Sequence, residues 1–395
     1  MTEQWDAIVL GAGAAGLMAA ARAGQRGKRV LVLEKASRPG KKILISGGGR
    51  CNFTNLGAGP EHYLSANPHF AKSALSRFTA RDFLDLVERH GIAWHEKTLG
   101  QLFCDGSARQ IVDMLLAECA DGGVELRCDE DVGAVTREED GFHVSSNGIA
   151  HRGSALVIAT GGPSIPKMGA TGFAYDLGRQ FGLKIVEPRP ALVPLTLGGE
   201  EVLFRTISGV AAPVTVGAGS GKRKARFAEA ALFTHKGLSG PAILQASSYW
   251  SPGEDVVVDF LPQERGDWLV AEKAARPKAA LRTLLRERLP DRLADMLAER
   301  LELPETLHAV SDKQLRAAQQ RLAHWPFRPN GTEGFAKAEV TAGGIATQEL
   351  SSRTMEAKRV PGLYAVGEAV DVTGWLGGYN FQWAWASGVA CGDAL

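Results

Sequence analysis

Cysteine pairing is the first thing missing. The five cysteines, Cys51, Cys104, Cys119, Cys128 and Cys391, are odd in number and scattered, and none stands in a CxxC pair. That spacing excludes a disulfide framework, a zinc ribbon and a dithiol redox pair, so no metal site is expected and a reducing compartment fits. An excess of charge of one sign is missing too, because 45 Lys and Arg against 44 Asp and Glu leave +1. Such a balance supplies no long-range field for a polyanion or an acidic membrane, and neither nucleic acid nor membrane is expected as a partner. Residues 1–5 show no basic stretch leading into an apolar core, so no export signal is read and the cytoplasm is the expected location. One uncharged run, between Asp371 and Asp393, is long enough for a membrane span, but it holds Gly374, Gly377, Gly378, Asn380, Gln382 and Ser387. It reads instead as a polar loop entering a buried helix.

What is present is globular material with a surplus of glycine. The 395 residues, 45% hydrophobic and 23% charged, suffice for two or three structural units. Glycine accounts for 47 of them, about 12% where about 7% is usual, which calls for many tight backbone approaches. The first 34 residues read as strand DAIVL, turn GAGAAG, helix LMAAARAGQRG and strand RVLVLE, one βαβ unit. Helical periodicity follows at 68–78 and 79–90, where Thr79 is placed as a cap with Asp82 three residues on, and again at 108–120. The short runs VELRC, VGAVTRE and FHVSS, closing with HRGSALVIAT, predict a meander packed on a parallel sheet. Pro188, Pro190 and Pro194 then mark a boundary. Beyond it come short strands, with a hairpin around GAGSGKRKARF, and then Leu-, Ala-, Arg- and Glu-rich helical spacing; WPFRPNGTEG reads as a linker. The predicted class is α/β, with a discontinuous domain, 1–187 plus 333–395, interrupted by a mostly β segment, 188–264, and a helical one, 265–332.

The residues that carry chemistry lie in four glycine stretches. Gly11, Gly13 and Gly16 sit between a strand and a helix, and Glu34 ends the next strand. Gly11 permits the turn, Gly13 lets the backbone approach a pyrophosphate, and Gly16 lets the helix pack on the strand, so that the helix start at Ala14 and Ala15 faces the phosphates. Glu34 offers acceptors to both ribose hydroxyls and would repel a ribose phosphate; the motif does not separate NAD from FAD. The second stretch, GKKILISGGGRCNFTN at 40–55, frees N–H groups that can line a flat ring or a pyrophosphate, with Lys42 and Arg50 supplying positive charge, although by composition it is equally a flexible loop. ATGG at 159–162 ends a buried strand. GLYAVGEAVDVTGWLGGYNFQ at 362–382 puts Glu368 and Asp371 after a strand and starts the final helix at Gly377–Gly378, where the helix dipole can stabilise negative charge on a reduced ring. A capped core helix would show the same pattern. His235 reads first as a capping or core histidine, Cys51 as a buried thiol, and KRKAR at 222–226 as the solvated tip of a hairpin. Trp383 and Trp385, two apart on a helix, point to different faces.

GAGAAG with Glu34, LISGGGRCNFTN, ATGG, VTAGGI and GEAVDVTGWLGGYNFQWAWASG together resemble the bacterial family of FAD-binding flavoproteins that includes aminoacetone oxidase and the BaiN/YhiN-type NAD(P)/FAD-dependent oxidoreductases. The likeness spans nearly the whole chain. Its ISGGGRCN and GGYN segments are specific to that family, whereas GxGxxG is shared by dinucleotide binders in general. The resemblance implies a Rossmann-like FAD-binding domain in two parts with an inserted β-barrel-like module and a small helical module. By position it implies that Gly11, Gly13, Ala14, Ala15, Gly16, Glu34 and Lys35 hold the ADP half of FAD. Lys42, Ser46, Gly47, Gly48, Arg50 and Asn52 would run beside the flavin and its phosphates, and Thr160, Gly161 and Gly162 would close over the pyrophosphate. Gly367, Glu368, Asp371, Gly378, Tyr379 and Asn380 would meet the ribityl chain and ring, and Val132 would offer backbone contacts to adenine.

The expected function is FAD-dependent oxidoreduction, a hydride passing between bound flavin and a small amine, ketone or enone admitted between the FAD domain and the insertion, with NAD(P)H as a candidate transient electron donor. No residue stands out as a catalytic acid or base; Asn52, Tyr379 or His235 would at most orient a ligand. Three alternatives stay open: an enzyme using NAD alone, a flavin-containing RNA-binding or RNA-modifying protein resting on KRKAR and the arginine-rich helices, and a non-catalytic flavin carrier. No second GxGxxG unit follows a strand, which argues against a separate NAD(P)H domain.

Overall fold

The computed structural model describes residues 3–395, the side chains of Glu3 and Lys222 excepted; Met1 and Thr2, at the head of the segment read for an export signal, lie outside the described residues. The chain divides into two compact units, Met1–Arg189 with Val340–Leu395, and Pro190–Glu339. In the first, strand β1 (Glu3–Leu10), helix α1 (Ala14–Gln25) and strand β2 (Val30–Leu33) form the βαβ unit. A parallel strand covered on both faces needs an unbroken apolar run, and Ala7, Ile8, Val9 and Leu10 are all buried. β1 pairs in parallel with β2 on one side and with Ile149–Ile158 on the other, and Glu125–Arg127 extends the sheet beyond β2.

The long strand Ile149–Ile158 serves two neighbours on its far edge. Its continuous apolar end, Leu156–Ile158, pairs in parallel with Leu363–Ala365 from the last part of the chain, while its alternating first half pairs antiparallel with Gly141–Ser146, which in turn pairs with Val132–Glu138. The meander is therefore an in-plane continuation of the parallel sheet rather than a layer on top of it, and VELRC belongs to the opposite, parallel edge.

The final helix, Tyr379–Gly392, packs along α1. Gly388 and Gly392 are one turn apart on one face, and a Cβ at either would lie 2.6 Å from a carbonyl oxygen of α1, that of Ala15 or Ala19. The uncharged run is thus a core helix; among the described residues no helix is long and apolar enough to cross a membrane. Both tryptophans are buried on different sides, as two-residue spacing requires. Trp383 donates its indole N–H to the Gly367 carbonyl at 3.0 Å, and Trp385 donates to the Phe53 carbonyl at 2.8 Å while stacking on Phe83 with ring centroids 4.4 Å apart. Thr79 and Asp82 cap Ala80–Arg89 reciprocally.

The second unit is built on seven antiparallel strands in the order Trp325–Phe327, Val256–Asp259, Ala211–Ala218, Ala225–Phe233, Gly237–Ser239, Leu195–Thr196, Gly331–Thr332. The two outermost strands are separated in the chain only by residues 328–330. Such a sheet has to curl until its ends approach, which makes it barrel-like. Phe204, Phe233, Phe260, Trp325 and Phe327 fill its interior, with centroids 4.9 to 6.5 Å apart. WPFRPNGTEG is accordingly not a linker: it supplies both outermost strands, and Pro326 is tolerated because its strand ends the ladder. Residues 333–339 also stay with this unit, since the Glu333 N–H donates to the Pro194 carbonyl at 3.0 Å and its carboxylate pairs with Lys236 at 3.0 Å. Helices Pro241–Ser247, Trp268–Ala275, Leu281–Arg286, Asp291–Arg300 and Asp312–Ala323 also belong to it.

Candidate functional site

The turn after β1 is shaped by contacts that only glycine allows. Gly11 has φ 102°, and a Cβ there would sit 2.8 Å from the Ala159 carbonyl oxygen; at Gly16 it would fall 2.0 Å from the Gly11 oxygen. Gly13 differs, because nothing lies within 4 Å of where its Cβ would be. It heads α1 with no side-chain cap, so the helix start at Ala14 and Ala15 opens onto space able to take an anion. Glu34, at the end of β2, has a pinned carboxylate: Oε2 accepts from the Ala12 N–H at 2.7 Å and Oε1 from the Ala36 N–H at 2.8 Å. Each oxygen keeps a lone pair for a further donor. The Glu130 N–H donates to the Glu34 carbonyl at 2.9 Å, which brings the start of Val132–Glu138 to the same end of the sheet. Lys35 turns outward and pairs with Asp131 at 3.3 Å.

The second glycine stretch is a short helix, Lys41–Ile45, followed by a turn with φ of 56°, 66° and 87° at Gly47, Gly48 and Gly49. Side chains at Gly48 or Gly49 would enter open space, while Gly47 is pressed against the Asn52 N–H and Phe103. Ser46 donates its hydroxyl to the Ile43 carbonyl at 2.7 Å, and the Asn52 amide pairs with that of Gln101 at 2.8 Å. Arg50 is exposed and makes no ion pair among the described residues. Cys51 is fully buried, and burial drives its thiol and that of Cys391 strongly upward; Cys104 is pushed up to about 11 and Cys119 to about 12 for the same reason. None is a thiolate at neutral pH.

One carboxylate gathers the remaining stretches. Lys42 Nζ lies 2.6 Å from Glu368 Oε2 and 2.7 Å from Ser164 Oγ, Ser164 donates to Glu368 Oε1 at 2.8 Å, and the Thr341 N–H donates to the same oxygen at 2.8 Å. Ser164 and Thr341 are not marked out by the motifs as ligands, although each lies within two residues of a glycine pair, Gly161–Gly162 and Gly343–Gly344. A Cβ at Gly161 would lie 4.0 Å from Glu368 Oε2, and one at Gly162 would meet the hydroxyls of Thr341 and Tyr175. Burial, with the Glu368 charge nearby, pushes the Tyr175 phenol upward. The Thr160 hydroxyl is buried with no hydrogen-bond partner among the described residues.

At the head of the final helix, Gly378 has φ 94° and no side-chain cap follows; a Cβ there would meet the Thr54 carbonyl. Tyr379 lies against His62, ring centroids 4.8 Å apart, and Tyr63 donates its hydroxyl to the Tyr379 carbonyl at 2.9 Å. Asn380 is used structurally: its Oδ1 accepts from the Gly374 N–H at 2.8 Å and its Nδ2 donates to the Gly374 and Trp375 carbonyls. The Gly367 N–H donates to Ser387 Oγ at 3.0 Å, and Asp371 Oδ2 accepts from the Ala66 N–H at 3.0 Å. His235, in the second unit, is exposed and lines a depression of about 330 Å³ with Pro194 and Lys337. Glu138, Asp140 and His143 gather at one hairpin, but Arg152 already holds Asp140 at 2.6 Å.

Two long helices headed by uncapped glycines lie beside a sheet in which β1 stands between β2, followed by Glu34, and Ile149–Ile158, and the ends of these strands form one belt that runs from Glu34 through Gly11, Ala159 and Gly161 to Glu368. A family model described as the HI0933-like protein Rossmann domain matches residues 5–394. The chain belongs to this family. Among HI0933-like relatives, it is 53% identical to a ribosomal RNA dihydrouridine synthase of Escherichia coli (strain K12), over 100% of this chain and 98% of that protein. It is 30% identical to a 3-dehydro-bile acid delta(4,6)-reductase of Clostridium scindens, over 98% of each. A solved structure of a 3-ketosteroid-delta4-(5alpha)-dehydrogenase from Rhodococcus jostii RHA1 matches with a TM-score of 0.50 at 14% identity, covering 99% of this chain and 97% of that one. The fold is the Rossmann-type FAD-binding fold, as the motif resemblance implied.

Proposed function

We propose that this FAD-dependent oxidoreductase reduces the C5=C6 bond of a uridine in ribosomal RNA. The observation that carries the reading is the 53% identity over the whole chain to a ribosomal RNA dihydrouridine synthase. A net charge of +1 describes the total and not any one face, so it does not oppose an RNA substrate.

The residues fit FAD. The orphaned Thr160 hydroxyl, the open space at Gly13, Gly48 and Gly49, and two uncapped helix starts are what a bound dinucleotide would use. When bound, FAD supplies a group able to accept and deliver a hydride. Gly13 and the first turn of α1 would hold the pyrophosphate, and the remaining lone pairs of Glu34 would take the ribose hydroxyls. Arg50 would balance phosphate charge, Lys42 would hold the Glu368 carboxylate in place, and the helix start at Gly378 would favour negative charge on the ring. Asn380 acts indirectly, by holding the Gly374–Trp375 turn in place.

The uracil C5=C6 bond is conjugated with the C4 carbonyl, so reduction adds a hydride at C6 and a proton at C5. The Clostridium relative, named for delta(4,6) reduction of a 3-dehydro bile acid, favours a second reading, a small enone as substrate. Nucleoside mass spectrometry of ribosomal RNA from cells lacking the gene tests the first. Loss of dihydrouridine, restored by the purified protein with FAD and NADPH, is expected. Unchanged dihydrouridine would refute it, and oxidation of the reduced protein by a steroid enone but not by RNA would move the assignment to the second reading.

A further inference from the structure

The RNA reading leaves open which part of the chain grips the polyanion. Cations of the second unit differ in how far they are already neutralised. Five in the helical segment are spent on neighbouring carboxylates: Arg276 on Glu272 and Glu287 at 2.6 and 2.7 Å, Arg288 on Glu264 and Glu272 at 2.6 and 2.7 Å, Arg286 on Asp295 at 2.6 Å, Arg316 on Asp267 at 2.7 Å and Lys273 on Asp312 at 2.8 Å. A guanidinium whose fork is shared with carboxylates has little charge left for a phosphate.

The tip of the hairpin between Ala211–Ala218 and Ala225–Phe233 is the opposite case. Arg223, Lys224 and Arg226 are exposed and form no ion pair among the described residues. No acidic residue occurs in the chain between Glu201 and Glu229. At this end Glu254 is held at the base of the turn by the Ser220 hydroxyl at 3.0 Å and the Ser251 N–H at 3.2 Å, and Asp255 is paired with Arg328 at 2.7 Å. Cross-strand pairing continues from Ala211–Leu232 to Ala218–Ala225, so the ladder runs unbroken up to the turn and presents the three cations on a fixed ribbon.

We infer that this tip is a phosphate-binding finger, engaging the backbone of the RNA substrate through charge rather than base sequence. The inference rests on the RNA reading and is tested by binding rather than turnover. Retention of a ribosomal RNA fragment by the FAD-loaded protein is measured from about 50 to about 200 mM salt. With about 0.7 counterions released per single-strand phosphate contact, the triple variant R223A/K224A/R226A should lower the slope of log affinity against log salt by about 2. Its flavin absorption spectrum should be unchanged. R223K/R226K should keep the wild-type slope, and so should R286A/R316A, which removes two paired arginines. A triple variant with wild-type slope and affinity overturns the inference, as does an equal effect from R286A/R316A, or capture of phosphatidylglycerol vesicles in preference to RNA. A wild-type protein that retains no RNA removes both this inference and the substrate reading. Retention that depends on the tip, with no uridine reduced, leaves the finger standing and removes only the substrate reading.

Discussion

Alanine at Gly13 and alanine at Gly16 should fail in opposite ways, although only Ala14 and Ala15 separate them in one motif. At Gly16 the added methyl would fall 2.0 Å from the Gly11 carbonyl oxygen and 3.1 Å from Ala159 Cβ. A relaxed contact needs about 3.5 Å, so α1 has to back away from the sheet it covers. Overpacking costs about 1–3 kcal/mol, and a clash against backbone belongs at the upper end, so G16A should lose about 3 kcal/mol with or without FAD. At Gly13 the backbone, φ −84° and ψ −172°, suits any L residue, and no atom lies within 4 Å of the new methyl. The apoprotein should therefore change by no more than about 1 kcal/mol, the loss of a good helix start. In the proposed placement of FAD the methyl would stand in the path of the pyrophosphate. Removing two charge-assisted hydrogen bonds at about 1.5 kcal/mol each weakens FAD by about 3 kcal/mol, roughly a hundredfold. Thermal unfolding with and without FAD reads both quantities. At a concentration about 100 times the wild-type Kd, FAD adds about 2.7 kcal/mol to the wild type and about 0.4 kcal/mol to G13A. A G13A protein showing the full increment, or a G16A protein as stable as wild type, would refute the reasoning.

Trp385→Ala, which removes a fully buried ring stacked on Phe83 and hydrogen-bonded to the Phe53 carbonyl, should cost about 3–5 kcal/mol in urea unfolding; an unmoved midpoint would show that the final helix does not anchor the core. Glu34→Ala frees the Ala12 and Ala36 N–H groups and should weaken FAD in a fluorescence titration, with Glu34→Gln, which keeps one oxygen, in between; equal affinities in all three proteins would contradict the ribose assignment. The buried thiols make stability depend on alkali. Cys104 and Cys119 titrate above their ordinary value of 9.0 when folded, so the folded state holds protons that the unfolded state releases. Stability from this source is fully present below about pH 8, and each thiol removes about 1.4 kcal/mol per pH unit above about pH 9, until its folded pKa is reached. Denaturant titrations at neutral and alkaline pH check this, and replacing Cys119 by alanine should shallow the decline.

Local signals were legible, and long-range partnerships were not. The turn after β1 could be read because Gly11 needs a positive φ and Gly16 a close approach, both of which one residue type satisfies. The capping of Ala80–Arg89 by Thr79 and the burial of Trp383 and Trp385 on different sides follow from spacing alone. The barrel's outermost strands hid behind Pro326 and Pro329, which resemble punctuation until the ladder's end is known. The meander's place in the sheet depended on the length of Ile149–Ile158, enough for two neighbours on one edge. The GGYN resemblance assigned Asn380 to the ribityl chain and ring, and no local pattern announced that its amide also holds a turn six residues earlier. Counting arginines made the helices and the KRKAR tip look alike; only the placement of Glu264, Glu272, Glu287 and Asp295 shows which charges are already neutralised.

The packing of the final helix on α1 sets an order of events during synthesis. α1 leaves the ribosome first, while the glycines that seat against Ala15 and Ala19 are made last, about 350 residues later. At about 5–20 residues per second that gap lasts roughly 20–70 s. Throughout it the face of α1 at Ala15 and Ala19 lacks the helix that covers it in the finished fold, and a chain cut short before Gly388 would be released with that face bare.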